Sequence, residues 1–196
     1  MNKKITIGCS IGAVVAIIII AIILVSTIFG GRNNMVKKEI LVEESWAQVQ
    51  NVYQRRVDLV PNLAESAKAY MQLEKDIFEA IADARASIQS AETPGDMESA
   101  NQEINSFIRD LKVVVEDTPE LKASGVVENL MSQLEGTENR IAVERKRFNE
   151  SVRDYNTYIK LFPNYIIAGW FGFTEKDFFE AEEGAEIAPD VDLELD

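Results

Sequence analysis

Residues 126–162 read VVENLMSQLEGTENRIAVERKRFNESVRDYNTYIKLF, and this stretch decides the fold. Large apolar residues recur in it at every seventh position, namely Val127, Leu134, Ile141, Phe148, Tyr155 and Phe162. Because a seven-residue repeat returns to the same side of a helix every two turns, it predicts one long helix packed lengthwise against neighbours. At 1.5 Å per residue, a helix over 126–161 would be about 54 Å long.

Three more helical stripes precede this one, and each ends at residues that break helices. The first runs from Val42 to Val60 and the second from Leu63 to Ile88. The third consists of Met97, Ala100, Ile104, Phe107, Leu111 and Val114. Since no segment alternates as a strand does, we expect an all-α protein with a single N-terminal transmembrane helix followed by an elongated antiparallel four-helix bundle.

The topology depends on Pro61, which separates the first two stripes. Proline removes a backbone donor and disfavours helical angles at the preceding residue, here Val60. If the chain reverses at Pro61, four helices run up, down, up and down. If it only kinks there, the first two helices merge into one. We favour the reversal, because a merged helix would overhang its neighbours.

The chain begins with a membrane anchor. Residues 5–31 carry no formal charge, and their apolar members include Ile5, Ile17, Ile20, Leu24 and Phe29. About 20 apolar residues are enough for a helix to cross the hydrocarbon layer, so this stretch is predicted to bind the lipid bilayer by spanning it. A cleaved leader ending at Gly30-Gly31 is the alternative, but its apolar region would be shorter.

The orientation of the anchor is nearly balanced by charge. Lys3 and Lys4 with the amino terminus lie on one side, and Arg32, Lys37 and Lys38 lie on the other. The positive-inside comparison is therefore a tie. We expect a cytoplasmic-membrane protein with a single span, a short cytoplasmic N-terminus and the bundle on the extracytoplasmic side, because a short basic lead before such an anchor usually stays in the cytoplasm.

Composition divides the chain into three parts. Residues 1–31 are the anchor, 32–173 the helical bundle and 174–196 an acidic C-terminal tail. The tail holds ten acids against Lys176, which accounts for most of the net charge of −13. Such a run is typical of a solvated, poorly ordered end that repels nucleic acid and anionic lipid. A docking segment for a basic partner or a weak cation-binding segment is the alternative.

Three motifs resemble the LemA family of bacterial membrane-anchored helical proteins. They are RRVDLVPNL at 55–63, LKVVVEDTPELKA at 111–123 and the stretch from LEGTENRI at 134–141 through FPN to Phe173. The similarity covers nearly the whole part of the chain that follows the anchor. It implies an N-terminal transmembrane helix and an antiparallel α-bundle, and it supplies no agreed biochemical activity.

Thirteen residues in and around these motifs are candidates for structural roles at helix ends and in the helix seams. They are Arg55, Arg56, Asp58, Pro61, Asn62, Glu138, Asn139, Arg140, Asn149, Tyr155, Asn156, Phe162 and Pro163. Arginine offers five donors in a fixed fork, so Arg55 and Arg56 suit carboxylates or free helix-end carbonyls, with Glu138 as a possible complement. A ligand or partner site is the alternative.

No catalytic pattern is visible. Glu74 and Glu144 fall on or beside core positions, but two carboxylates without a known separation do not make an acid–base pair. The sequence contains no histidine, the commonest proton shuttle and metal ligand, and no nucleotide-binding or nucleophile motif occurs. We expect no enzyme activity, no cofactor and no metal site.

Residues 162–173 form an uncharged run after the long helix, containing Tyr165, Trp170, Phe171 and Phe173. The run is too short to span a bilayer, but such rings suit the membrane interface. Capping of the bundle end is the competing explanation.

The expected function is therefore a membrane-anchored scaffold or interaction protein of the cell envelope, with protein partners that the sequence does not identify. A membrane-surface or membrane-shaping module that uses 162–173 is the second hypothesis. An enzyme with an unrecognised acidic site is the third.

Overall fold

The computed structural model describes residues 3–68 and 75–180. Within these ranges the regular structure is all helical, which confirms the predicted all-α class. The helices are α1 (Lys3–Ala67), α2 (Lys75–Ser90), α3 (Pro94–Asp117), α4 (Pro119–Lys122), α5 (Gly125–Lys160) and α6 (Asn164–Phe171). The predicted positions Tyr70 and Glu74, and the tail from residue 181, lie outside the described residues.

Pro61 lies inside α1, so the expected reversal at this residue is wrong. The helix also joins the apolar anchor to the first predicted stripe without a break. An interior proline costs roughly 3 kcal/mol, but burial on both sides of it offsets the loss. Val57, Val60, Leu63 and Ala64 are each at most 1% exposed, so ending the helix at Pro61 would give up a well-packed face.

The α2–α3 connection is where the sequence predicted it. Thr93 caps α3 by accepting a hydrogen bond from the Asp96 backbone N–H at 3.2 Å, while the Asp96 carboxylate accepts one from the Thr93 N–H at 3.0 Å. This reciprocal pair is a capping box, and Pro94 starts the first turn. Those hydrogen bonds hold the pKa of Asp96 below its usual value.

The long repeat forms α5, and five of its six repeat residues, Val127 through Tyr155, are buried. The sixth, Phe162, lies beyond the end of α5 and is 77% exposed. In α3 the buried face passes through Ile108 and Val115 instead of the predicted Phe107 and Val114, which are only half-buried. Phe162 is exposed because α5 ends before it. In α3, Phe107 adjoins Ile108 and Val114 adjoins Val115, so the spacing alone did not decide which residue of each pair is buried.

The chain divides into two compact units. Unit 1 contains residues 1–51 and 146–176, and unit 2 contains residues 52–145 and the chain from 177. The core of unit 1 includes Met35, Val42, Val49, Val152 and Ile159. The core of unit 2 includes Leu63, Ile88, Met97, Leu111 and Leu134.

Candidate membrane-interface site

The described part of the apolar stretch is uncovered. Ile17, Ile20, Leu24 and Phe29 are 65, 56, 58 and 59% exposed, and the most hydrophobic window, of mean hydropathy 2.9, is only 6% buried. A run of this size would be costly in water, whereas a core helix would be covered by protein. Among the described helices, α1 alone is long and apolar enough to cross a membrane.

The uncharged run after α5 contains a short helix, α6, which the sequence did not predict. Its first turn is fixed by Asn164, whose amide donates to the Tyr158 carbonyl at 3.1 Å. Gly172 ends it at φ 77°, a left-handed conformation that glycine adopts without strain, and its N–H donates to the Ala168 carbonyl. The sequence thus sets both ends of α6 locally.

Helix α6 packs against α1 at the end of the apolar stretch. Ile167 and Ala168 are 3% and 5% exposed, and the Ile167 Cδ1 atom lies only 2.8 Å from where a Cβ on Gly31 would stand. Glycine at 31 therefore allows the close approach. The guanidinium of the next residue, Arg32, lies 5.2 Å from the centre of the Phe171 ring, within range of a cation–π interaction.

Four aromatic side chains in and beside α6 remain exposed. Phe162, Tyr165, Trp170 and Phe171 are 77, 55, 68 and 45% exposed, and Phe173 is half-buried. Packing against the bundle, one of the two alternatives from the sequence, is thus confined to the buried residues Ile167 and Ala168. We call the exposed set Phe162, Tyr165, Trp170 and Phe171 the aromatic face.

The residues that follow α6 within unit 1, 173–176, are held by hydrogen bonds and ion pairs to the rest of that unit. The Asn156 amide donates to the Lys176 carbonyl at 2.9 Å, and its oxygen accepts from the Lys176 N–H at 3.0 Å. Lys160 pairs with Glu175 at 2.7 Å and Lys176 with Glu39 at 2.9 Å. The expected poorly ordered end therefore does not begin at residue 174, because Asn156 satisfies the backbone there.

Tyr155, another motif residue, is fully buried beneath this segment. Burial raises the pKa of its phenol to about 12, and the nearby Glu39 carboxylate adds to the shift. The Lys176 ammonium lies 5.9 Å from the Tyr155 ring centre. Tyr155 is thus an uncharged core ring at neutral pH.

In unit 2, Arg56 is a buried cation. Its side chain is 5% exposed, donates to Asn101 Oδ1 at 3.2 Å and lies 3.6 Å from the Glu138 carboxylate. Burial lowers the pKa of Arg56, and Glu138 opposes the shift. Since α1 continues past Arg56, this residue links three helices and does not cap a helix end, which was the expected role.

Arg56 also lines a polar groove of about 800 Å³ in unit 2. Helix α3 supplies most of the groove. The lining residues are Arg56, Glu98, Asn101, Gln102, Asn105, Ser106, Ile108, Arg109, Lys112, Glu138 and Glu180.

The remaining motif residues do not converge on one site. Asp58 pairs with Arg85 at 3.0 Å, and the Asn62 amide donates to the Asp58 carbonyl at 3.3 Å. Residues with exposed side chains are Arg55, Asn139 and Arg140, while Glu144 and Asn149 are half-buried. No cluster able to hold a metal ion occurs among the residues that the structure describes.

Comparison with known proteins agrees with this architecture. The sequence profile of the LemA family matches residues 45–193. This chain belongs to the LemA family. It is also similar to the magnetosome protein MamQ of Magnetospirillum gryphiswaldense, with 25% identity over 187 residues that cover 79% of this chain and 69% of the relative. Together with the uncovered apolar helix, the LemA match indicates a membrane-associated helical protein.

Replacing Gly31 by leucine should loosen α6 of this LemA protein, since the new side chain would occupy the space of Ile167. Overpacking typically costs about 1–3 kcal/mol, so amides in 164–171 should exchange with deuterium roughly 5- to 100-fold faster. The matched control is Gly30→Leu, where nothing lies within 4 Å of the added Cβ. Equal exchange in the two variants would contradict the packing of α6 on Gly31.

Replacing Arg56 by alanine should lower the free energy of unfolding by at least about 1 kcal/mol, because Asn101 then loses its buried partner. The exposed neighbour provides the control: Arg55→Ala should stay within about 0.5 kcal/mol of the parent. Urea unfolding followed by circular dichroism measures both. An unchanged midpoint for Arg56→Ala would show that the pair with Asn101 contributes nothing to the fold.

Proposed function

We propose that this protein is a membrane-anchored helical scaffold whose unit 1 is seated on the bilayer by α6. One observation carries the proposal: α6 buries Ile167 against Gly31, where the apolar stretch ends, and turns Trp170 outward at 68% exposure. Tryptophan and tyrosine are enriched at this depth in membrane proteins. The protein would therefore contact the bilayer twice, through the span and through the aromatic face.

The second contact gives the scaffold a fixed tilt. A single span leaves an attached body free to swivel, whereas a neighbouring helix in the interface limits that motion. α6 suits this task because it has an apolar core face, an aromatic outer face and no charge. We place the body in the cell envelope, on the extracytoplasmic side of a single span, as an antiparallel coiled-coil-like bundle of four helices.

The polar groove of unit 2 is the surface we assign to a protein partner. It combines amides at 101, 102 and 105 with the cations Arg109 and Lys112. Mixed amide and charged surfaces are typical of reversible protein contacts. We propose no catalytic step for the groove.

A second candidate is a module that shapes the membrane. The same exposed rings would occupy area in one leaflet only, which favours a curved surface. The scaffold hypothesis is preferred because the aromatic face comprises only Phe162 and three residues of one short helix, Asn164–Phe171.

Seating of α6 predicts the depth of Trp170. The sequence has two tryptophans, so the full chain carrying Trp46→Phe reports Trp170 alone. In proteoliposomes, nitroxide near the lipid carbonyls should quench Trp170 more strongly than nitroxide at the chain end, because the ring prefers the interface. Quenching by neither probe would remove α6 from the bilayer and end the seating proposal.

Scaffolding predicts a specific neighbour at the groove. A photo-crosslinking residue at position 102 should capture one protein reproducibly in cells, since Gln102 lines the groove. The control position is 128, exposed in the first turn of α5 and absent from the groove lining. Identical products from both positions, or none from 102, would argue against a partner at the groove.

A further inference from the structure

Three cations follow the apolar stretch directly. They are Arg32, Lys37 and Lys38, and the first acid of α1 comes after them, at Glu39. The sequence from residue 5 to residue 38 contains no acid at all. A positive band therefore begins where the uncharged stretch ends.

The rise of the helix places these cations at the level of the lipid headgroups. At 1.5 Å per residue, Lys38 is about 10 Å beyond Gly31 along α1. The headgroup layer on each side of the hydrocarbon core is about 5–8 Å thick. Long basic side chains can reach back toward that layer while their stems stay along the helix, so all three charges lie within reach of lipid phosphates.

The three charges are not neutralised by acids in the described part of the chain. The Arg32 guanidinium lies over the Phe171 ring at 5.2 Å, and the Lys38 ammonium lies 5.6 Å from the centre of the Tyr158 ring. Both contacts are with uncharged rings, which orient a cation and leave its charge free. Lys37 is exposed and forms no ion pair with a described residue.

Two acids of unit 1 are paired with cations outside the band. Glu39 binds Lys176 at 2.9 Å, and Glu175 binds Lys160 at 2.7 Å. These two ion pairs cancel the carboxylates that would otherwise repel lipid phosphates beside the band. The local charge at the interface is therefore positive, although the whole chain carries −13.

We infer that Arg32, Lys37 and Lys38 form a binding site for anionic lipid headgroups beside the aromatic face. This inference rests on the seating of α6 and adds the class of lipid that unit 1 selects. Phe171 positions the Arg32 guanidinium, and arginine matches a phosphate with two parallel donors. Each cation near an anionic surface should raise the association of anionic lipid roughly fivefold.

The test compares two lipid probes in the full chain carrying Trp46→Phe. Proteoliposomes of phosphatidylcholine receive either a nitroxide-labelled phosphatidylglycerol or a nitroxide-labelled phosphatidylcholine, at equal mole fraction. We expect the anionic probe to associate beside Trp170 at least tenfold more strongly at 0.1 M NaCl. The preference should shrink at 0.5 M NaCl, because salt screens exposed charges.

The variant Arg32→Gln/Lys37→Gln/Lys38→Gln should reduce the anionic preference to about that of the neutral probe. The control variant, Arg55→Gln/Lys122→Gln/Arg140→Gln, removes the same charge from exposed positions of unit 2 outside the groove and should keep the preference. Equal quenching by both probes in the parent would overturn the lipid site while leaving α6 seated. Quenching by neither would overturn the seating and this inference together, and an equal loss in both variants would show a net-charge effect and no site.

Discussion

The approach of Ile167 to Gly31 is the contact on which the rest of unit 1 depends. Only glycine leaves room for the isoleucine side chain at this point of α1, since its Cδ1 atom would stand 2.8 Å from an added Cβ. Gly31 is the last residue of the apolar stretch, and α1 continues through it without a break. The helix rise therefore sets the axial position of each residue relative to the span. The aromatic face is therefore held at the level where the span ends.

The aromatic face is also held from both ends of α6. At the start of α6, Asn164 donates a hydrogen bond to α5. Beyond the end of α6, Asn156 forms two hydrogen bonds with the Lys176 backbone. Side chains presented by a fixed element lose little further freedom when they meet a surface, which lowers the entropic cost of binding. In the seating that we propose, this fixed arrangement would favour membrane contact by the eight uncharged residues of α6.

The sequence predicted what depends on local pattern and missed what depends on distant contacts. The repeat through Tyr155 predicted both ends of α5 to within a residue or two. Pro94 lies at the predicted break between the second and third helices. The predicted reversal at Pro61 was wrong because the burial of Val57 and Leu63 outweighs the cost of a proline inside the helix. That burial depends on other parts of the chain. The sequence also did not predict the helical form of α6 or the hydrogen bonds between Asn156 and Lys176. Those two residues are 20 apart, and no sequence period links them. The aromatic composition of 162–173 did not indicate which rings would be exposed.

Local charge, more than net charge, governs how this acidic chain meets a membrane. Exposed charges act over about 8 Å at physiological ionic strength, so acids well beyond the headgroup layer contribute little there. Beside the basic band the carboxylates of Glu39 and Glu175 are paired, and Arg32, Lys37 and Lys38 supply the positive charge. At about 0.01 M salt the range grows to roughly 30 Å, and the more distant acids would begin to repel the surface. Attraction to an anionic bilayer should then be greatest at intermediate ionic strength, because low salt exposes the surface to the net charge and high salt screens the basic band itself.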